Sequence, residues 1–205
     1  ADLNAAGVQV SYRFRALHSA AMASVRLYWS DGSGYAGGNG GVIRARIYPD
    51  DGSGNPNTSV AHFGEFTRTP GNLGMSGGVY SDGQQRFNPD AFTGARQLQA
   101  GQLYHLVGEN IAASPTVNWS SWDGQGVILA NGRNLPWAHG SEWALLRKSG
   151  SWDDWMLNTH GGARVVPVMQ LNYVGGLQQG SFAMETGNVD SPATVRIRKT
   201  GSSAS

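Results

Sequence analysis

The residues in this chain best suited to chemistry are its tryptophans. Six of the seven stand at 119, 122, 137, 143, 152 and 155, within NWSSWDGQG, NLPWAHGSEW and GSWDDW. Their neighbours are Ser, Asp, Asn and Gly, whereas Trp29 sits among the apolar residues of SVRLYW. An indole in polar, turn-rich sequence is placed to meet a ligand, because its flat face covers C–H surface and excludes water. A pyranose presents such a surface on one face and a rim of hydroxyls around it. Asp, Asn, Gln and Arg are the partners for that rim, and Asn118, Asp123, Gln125, Asp153, Asp154 and Asn158 lie within a few residues of the rings. The expected contact set is therefore Trp119, Trp122, Asp123, Trp137, Trp152, Asp153, Asp154 and Trp155. The alternative is that half of these rings pack against a sheet under long loops.

A further contact residue is expected at Tyr35. It stands alone in SDGSGYAGGNGG, residues 30–41, where six of twelve residues are glycine. Loops of this length without structure of their own are usually functional or mobile. The segment could mould itself to a partner, with Tyr35 forming one wall of a groove. It could equally be a surface connection whose ring folds back on the sheet.

Two other patterns carry charge. R-x-R occurs as Arg13/Arg15, Arg44/Arg46 and Arg196/Arg198. A strand puts both members of each pair on one face. Adjacent strands would gather up to six guanidiniums, suited to an acidic polysaccharide. The competing reading is a solvated face with cross-strand pairs to Glu65, Glu185 or similar. In PDDGSGNPN, residues 49–57, Asp50, Asp51 and Asn55 could give oxygens to a structural Ca²⁺. The spacing is not that of an EF-hand, and a β-turn built on Asp and Gly explains the same residues at less cost. No other cofactor is expected.

No catalytic constellation is legible. The five histidines, at 18, 62, 105, 139 and 160, fall in no H-E-x-x-H or zinc spacing, and there is no G-x-S-x-G. His105, mid-strand in LYHLV, reads as a buried hydrogen-bonded histidine. A lyase could be cast from His139, His160, Tyr104 and arginines, and a glycosidase from Glu142 with Asp153 or Asp154. Neither cast is specific.

These residues must be positioned by strands. Charged residues make up only 14% of the chain, against about 25% on average, and there are 30 glycines. Apolar residues alternate with period two in SYRFRAL, SVRLYW, VIRARIY, QLYHLVG and VVPVMQLNYV, and SFAME and TVRIRK close the set. DGSG, DGQ, NG and GG punctuate them. The expectation is an all-β, antiparallel two-sheet β-sandwich of roughly ten strands, of jelly-roll type, with long loops. At most one short helix is expected, over GSEWALLRKSG, residues 140–150, capped by Ser141 and ended by Gly150. Residues 1–199 form one domain and 200–205 a flexible tail or linker. With a net charge of +1 and no basic cluster, nucleic acid is not an expected partner. No apolar run is long enough to span a bilayer. Absent cysteines exclude disulfides and thiol chemistry.

GGVIRARIYPDDGSGNP and AGQLYHLV, with the strand rhythm of the whole chain, resemble carbohydrate-binding modules and lectin-like jelly rolls appended to secreted bacterial or phage proteins. The resemblance implies a secreted or extracellular, non-catalytic module of a larger protein, with a polysaccharide or cell-surface glycan as its partner. Alginate-lyase jelly rolls are similar in size. Their arginine–glutamate strand, Q-I-H stretch and tyrosine-rich lysine strand are missing here, which weighs against a lyase. A small polysaccharide lyase, or a structural or attachment domain of a phage tail or surface appendage, are the alternatives.

Overall fold

A computed structural model of the chain describes residues 1–27, 29–31, 38–70, 75–76, 79–80, 89–122, 124–126, 144–153, 165–167 and 169–181. These residues form strands and no helix. In chain order the strands are β1 (Gln9–Arg15), β2 (Met22–Leu27), β3 (Trp29–Asp31), β4 (Ile43–Pro49), β5 (Glu65–Arg68), β6 (Met75–Ser76), β7 (Val79–Tyr80) and β8 (Asp90–Ala91). There follow β9 (Leu103–Asn110), β10 (Ser120–Trp122), β11 (Gly124–Gly126), β12 (Ala144–Ser149), β13 (Ser151–Asp153), β14 (Val165–Pro167), β15 (Met169–Tyr173) and β16 (Gln178–Ser181).

Two antiparallel sheets make a β-sandwich. The larger has the order β13-β12-β1-β9-β4-β5, and the smaller β16-β15-β2-β8. Three two-stranded pairs, β10-β3, β11-β14 and β6-β7, complete the described strands. The alternating apolar residues fill the space between the sheets. Tyr12, Phe14, Ile43, Ala45, Ile47 and Leu106 come from one side and Val25, Leu27, Met169, Leu171 and Tyr173 from the other, all in one buried cluster. Burial of these alternate faces is the main force holding the sheets together. Arg68 at the edge of the large sheet meets Asp90 of the small one at 3.1 Å, and its guanidinium lies 5.3 Å from the Trp29 ring. Burial raises the Asp90 carboxyl above its ordinary value, and Arg68 opposes that shift.

Of the expected helix over residues 140–150, the described part, Ala144–Ser149, is a strand. Ala144–Ser149 pairs with β1 on one side, and on the other with β13, which it reaches by a turn at Gly150. An ALL run fits either period, and pairing along β1 decides it: Leu145 joins the core while Leu146 is buried on the opposite face. SFAME beyond Ser181 and TVRIRK lie outside the described residues.

Asn110, at the end of β9, is a junction. Its Nδ2 donates to the carbonyls of Leu3 (2.9 Å) and Asn118 (2.8 Å). Its Oδ1 accepts from the amides of Val42 (3.4 Å) and Ala112 (3.0 Å). The end of the glycine-rich segment closes onto this junction. Gly41 has φ +80°, and a Cβ there would lie 2.7 Å from Asn110 Nδ2 and from the Asn118 carbonyl. So one glycine of that segment is required by a left-handed backbone against a packed amide. Among the described residues no helix is long and apolar enough to cross a membrane.

Candidate functional site

The outer face of the large sheet carries the arrangement with most capacity to bind. Strand register places Trp152, Lys148, Gln9, Glu109, Arg44 and Thr67 opposite one another, one from each strand, in a single row across the sheet. Period two keeps this row off the core, since Val10, Ile43 and Ala45 point inward. Every member is partly or fully exposed. At roughly 4.8 Å per strand, the row runs about 24 Å. It opens with an indole held by the Lys148 ammonium, 5.8 Å from the ring centroid. It continues through an amide and a carboxylate, Gln9 Nε2 donating to Glu109 at 3.5 Å. Arg44 donates to the same carboxylate through Nε (2.9 Å) and Nη2 (2.6 Å).

On β1 and β9 the next rows along this face are closed. Ser11 and His105 are 0% exposed, and Arg13 is buried with its Nη1 donating to the Gly54 carbonyl at 2.9 Å. His105 Nε2 lies 2.9 Å from Asp50 Oδ2, and its Nδ1 lies 2.9 Å from Ser11 Oγ. A carboxylate only accepts, so Nε2 carries the proton and Nδ1 accepts from the serine hydroxyl. Burial, above all, lowers the His105 pKa to about 4; the Asp50 bond and charge oppose this, and the Arg13 charge reinforces it. Ser–His–Asp connectivity is thus present, but no substrate can reach a serine with no exposed surface. The expected buried, hydrogen-bonded histidine is what the structure contains.

The turn after β4 is built as the β-turn alternative requires. Asp50 Oδ1 accepts from the amides of Gly52 (2.7 Å) and Gly54 (3.3 Å), and Asp51 Oδ1 from those of Ser53 (2.7 Å) and Asn55 (3.2 Å). Slight desolvation pushes the Asp51 carboxyl up, and these amides outweigh it and hold the pKa below its ordinary value. The Asn55 carbonyl accepts from the Asp51 amide at 2.8 Å. One oxygen of Asp50 and one of Asp51 are therefore turned onto the loop's own N–H groups, and among the described residues no group of three His, Cys, Asp or Glu side chains could hold a metal.

Among the described residues the two arginine pairs do not sit on neighbouring strands. β9 separates β1 from β4. Arg44 pairs with Glu109 and Arg46 with Glu65, the latter at 2.8 Å, while Arg15 donates to the Gly101 carbonyl. Cross-strand pairing is what these strands contain, and Arg196 and Arg198 lie outside the described residues.

The tryptophans divide. Trp122 is 0% exposed and belongs to the core cluster, with its ring 5.1 Å from Tyr12 and 5.9 Å from Trp29. Trp119 is 8% exposed. Neither offers a ligand an open face. The reason is local pairing: β10 lies between β3 and the first residues of the chain, through Trp122 N to Ala1 O (3.0 Å) and Leu3 N to Ser120 O (3.0 Å). That pairing turns Ser120 and Trp122 inward together. Trp152 is half-buried on the edge strand and Asp153 beside it is exposed. Tyr35, Asp123, Trp137, Trp143, Asp154 and Trp155 lie outside the described residues. Reasoning from sequence missed Lys148, Gln9, Glu109, Arg44 and Thr67 as companions of Trp152. Only the strand order brings them into line.

No known family profile and no curated protein sequence matches the chain.

Proposed function

We propose that this chain is a non-catalytic carbohydrate-binding module, a sandwich of jelly-roll type. A polysaccharide lies along the exposed row from Trp152 to Arg44. What supports the reading is one observation: a partly exposed indole on an edge strand stands in register with an ammonium, an amide, a carboxylate and a guanidinium. The ring supplies a surface for sugar C–H groups. The polar side chains supply donors and acceptors for hydroxyls at strand intervals. A row of partly exposed side chains across a sheet face suits a chain-like ligand rather than a small molecule, which would need a concave site. The proposal includes an extracellular setting within a larger protein. It assigns no bond-breaking step.

Titration with a panel of neutral and acidic polysaccharides, read calorimetrically, tests it. At least one polymer binds, and Trp152→Ala weakens that binding roughly tenfold, about 1.4 kcal/mol, while leaving the unfolding midpoint within error. If no polymer binds, or if removing the ring leaves affinity unchanged, the row is not the site.

A further inference from the structure

On the same outer face, at the opposite end of β1 from Gln9, an open depression of about 280 Å³ is bordered by Arg15, Asp50, Gly52, Gln102 and Tyr104. Six residues of strand separate it from the Trp152 row, roughly 20 Å. It is a separate place with its own chemistry, close in size to the smallest ligand pockets.

Asp50 is the fixed point. Its carboxylate accepts three hydrogen bonds, from Gly52 N, Gly54 N and His105 Nε2. A carboxylate has about four acceptor positions, so one remains for a donor in the depression. His105 is itself held by Ser11, both fully buried, so the carboxylate is locked from beneath. An acceptor already oriented costs a ligand little ordering. Gln102 is exposed at the rim with a whole amide, donor and acceptor. Arg15 brings a guanidinium to the opposite charge character.

The combination selects by charge. An anion meets the Asp50 carboxylate, and a cation meets Arg15. Arg15 Nη1 already donates to the Gly101 carbonyl, and a guanidinium has five N–H donors; a neutral group that both donates and accepts suits all three side chains, and adjacent hydroxyls of one sugar ring do this. We infer that the depression bordered by Arg15, Asp50 and Gln102 is a second binding site, for a single neutral sugar residue presenting neighbouring hydroxyls. The inference extends the carbohydrate reading of the outer face and rests on it for the class of ligand, but not for the residues.

The test is nitrogen–proton NMR of the full chain with glucose, galactose, mannose, xylose and glucuronate as probes, followed at the Gln102 side-chain amide and the Arg15 Nε–H. At least one neutral sugar shifts both signals saturably. Gln102→Ala weakens that response roughly tenfold, the loss of a neutral hydrogen-bonding side chain. Trp152→Ala leaves it unchanged. Silence with every neutral sugar overturns the site, as does a stronger response to glucuronate or a neutral-sugar response indifferent to Gln102→Ala. Polysaccharide binding that needs Trp152 beside a silent depression overturns this site alone. Loss of both responses removes the outer-face proposal as well.

Discussion

Replacing Gly108 with alanine will destabilise the protein by about 3 kcal/mol, the upper range for forcing extra volume into a packed core. A Cβ at that position would lie 2.5 Å from Trp122 Cζ2 and 2.6 Å from Cη2. The indole has nowhere to retreat, because Tyr12 and Trp29 flank it and its backbone is hydrogen-bonded to Ala1. Gly108 sits mid-strand in β9, so the requirement is for room rather than for an unusual backbone angle. Trp122→Ala, which empties the same space, costs about 4 kcal/mol. The two changes share one contact and will not add. In chemical denaturation, Gly108→Ala will cost far less in a Trp122→Leu background than in the native one. Equal costs in both backgrounds would mean that the ring and the glycine are not coupled.

Stability will also fall steeply on mild acidification because of His105. Its folded pKa is about 4, against about 6.5 for a free histidine. Between those values the unfolded chain binds a proton that the folded chain refuses, so unfolding is favoured as pH drops. The full contribution is present above about pH 6.5 and is lost progressively down to about pH 4, a total of about 3 kcal/mol. Most carboxylates titrate below this window, which leaves the slope between pH 6.5 and 5 attributable mainly to histidine. Denaturation midpoints across that range will decline in the native protein and flatten in His105→Gln, which still offers a donor and an acceptor. An unchanged slope in the variant would show that His105 is not the group responsible.

Much of the fold could be read from alternation. Val25, Leu27 and Trp29, and Met169, Leu171 and Tyr173, are buried as their period-two spacing demands. His105 reads as buried because both faces of its strand are apolar, and it is. What sequence hides is partnership over long separations. Trp122 and Trp152 have similar polar neighbours, yet one fills a hole made by Gly108, fourteen positions away on another strand, and the other stands on an open edge. Nothing within NWSSWDGQG announces that hole. The row from Trp152 to Thr67 joins six segments whose order across the sheet, β13-β12-β1-β9-β4-β5, is far from chain order. R-x-R marks one face of β1 and of β4, but the glutamates that neutralise Arg44 and Arg46 come from β9 and β5. The short apolar run ALL was ambiguous for a different reason: three residues cannot distinguish the two periods, and neighbouring strands settle it.

The most direct test of the central claim is residue-level mapping of a bound polysaccharide by amide chemical-shift perturbation on the intact chain. The account predicts that shifts run across the sheet through Trp152, Lys148, Gln9, Glu109 and Arg44, and fade along β1 toward the sealed Ser11. Shifts confined to the smaller sheet, or scattered without following this row, would contradict it.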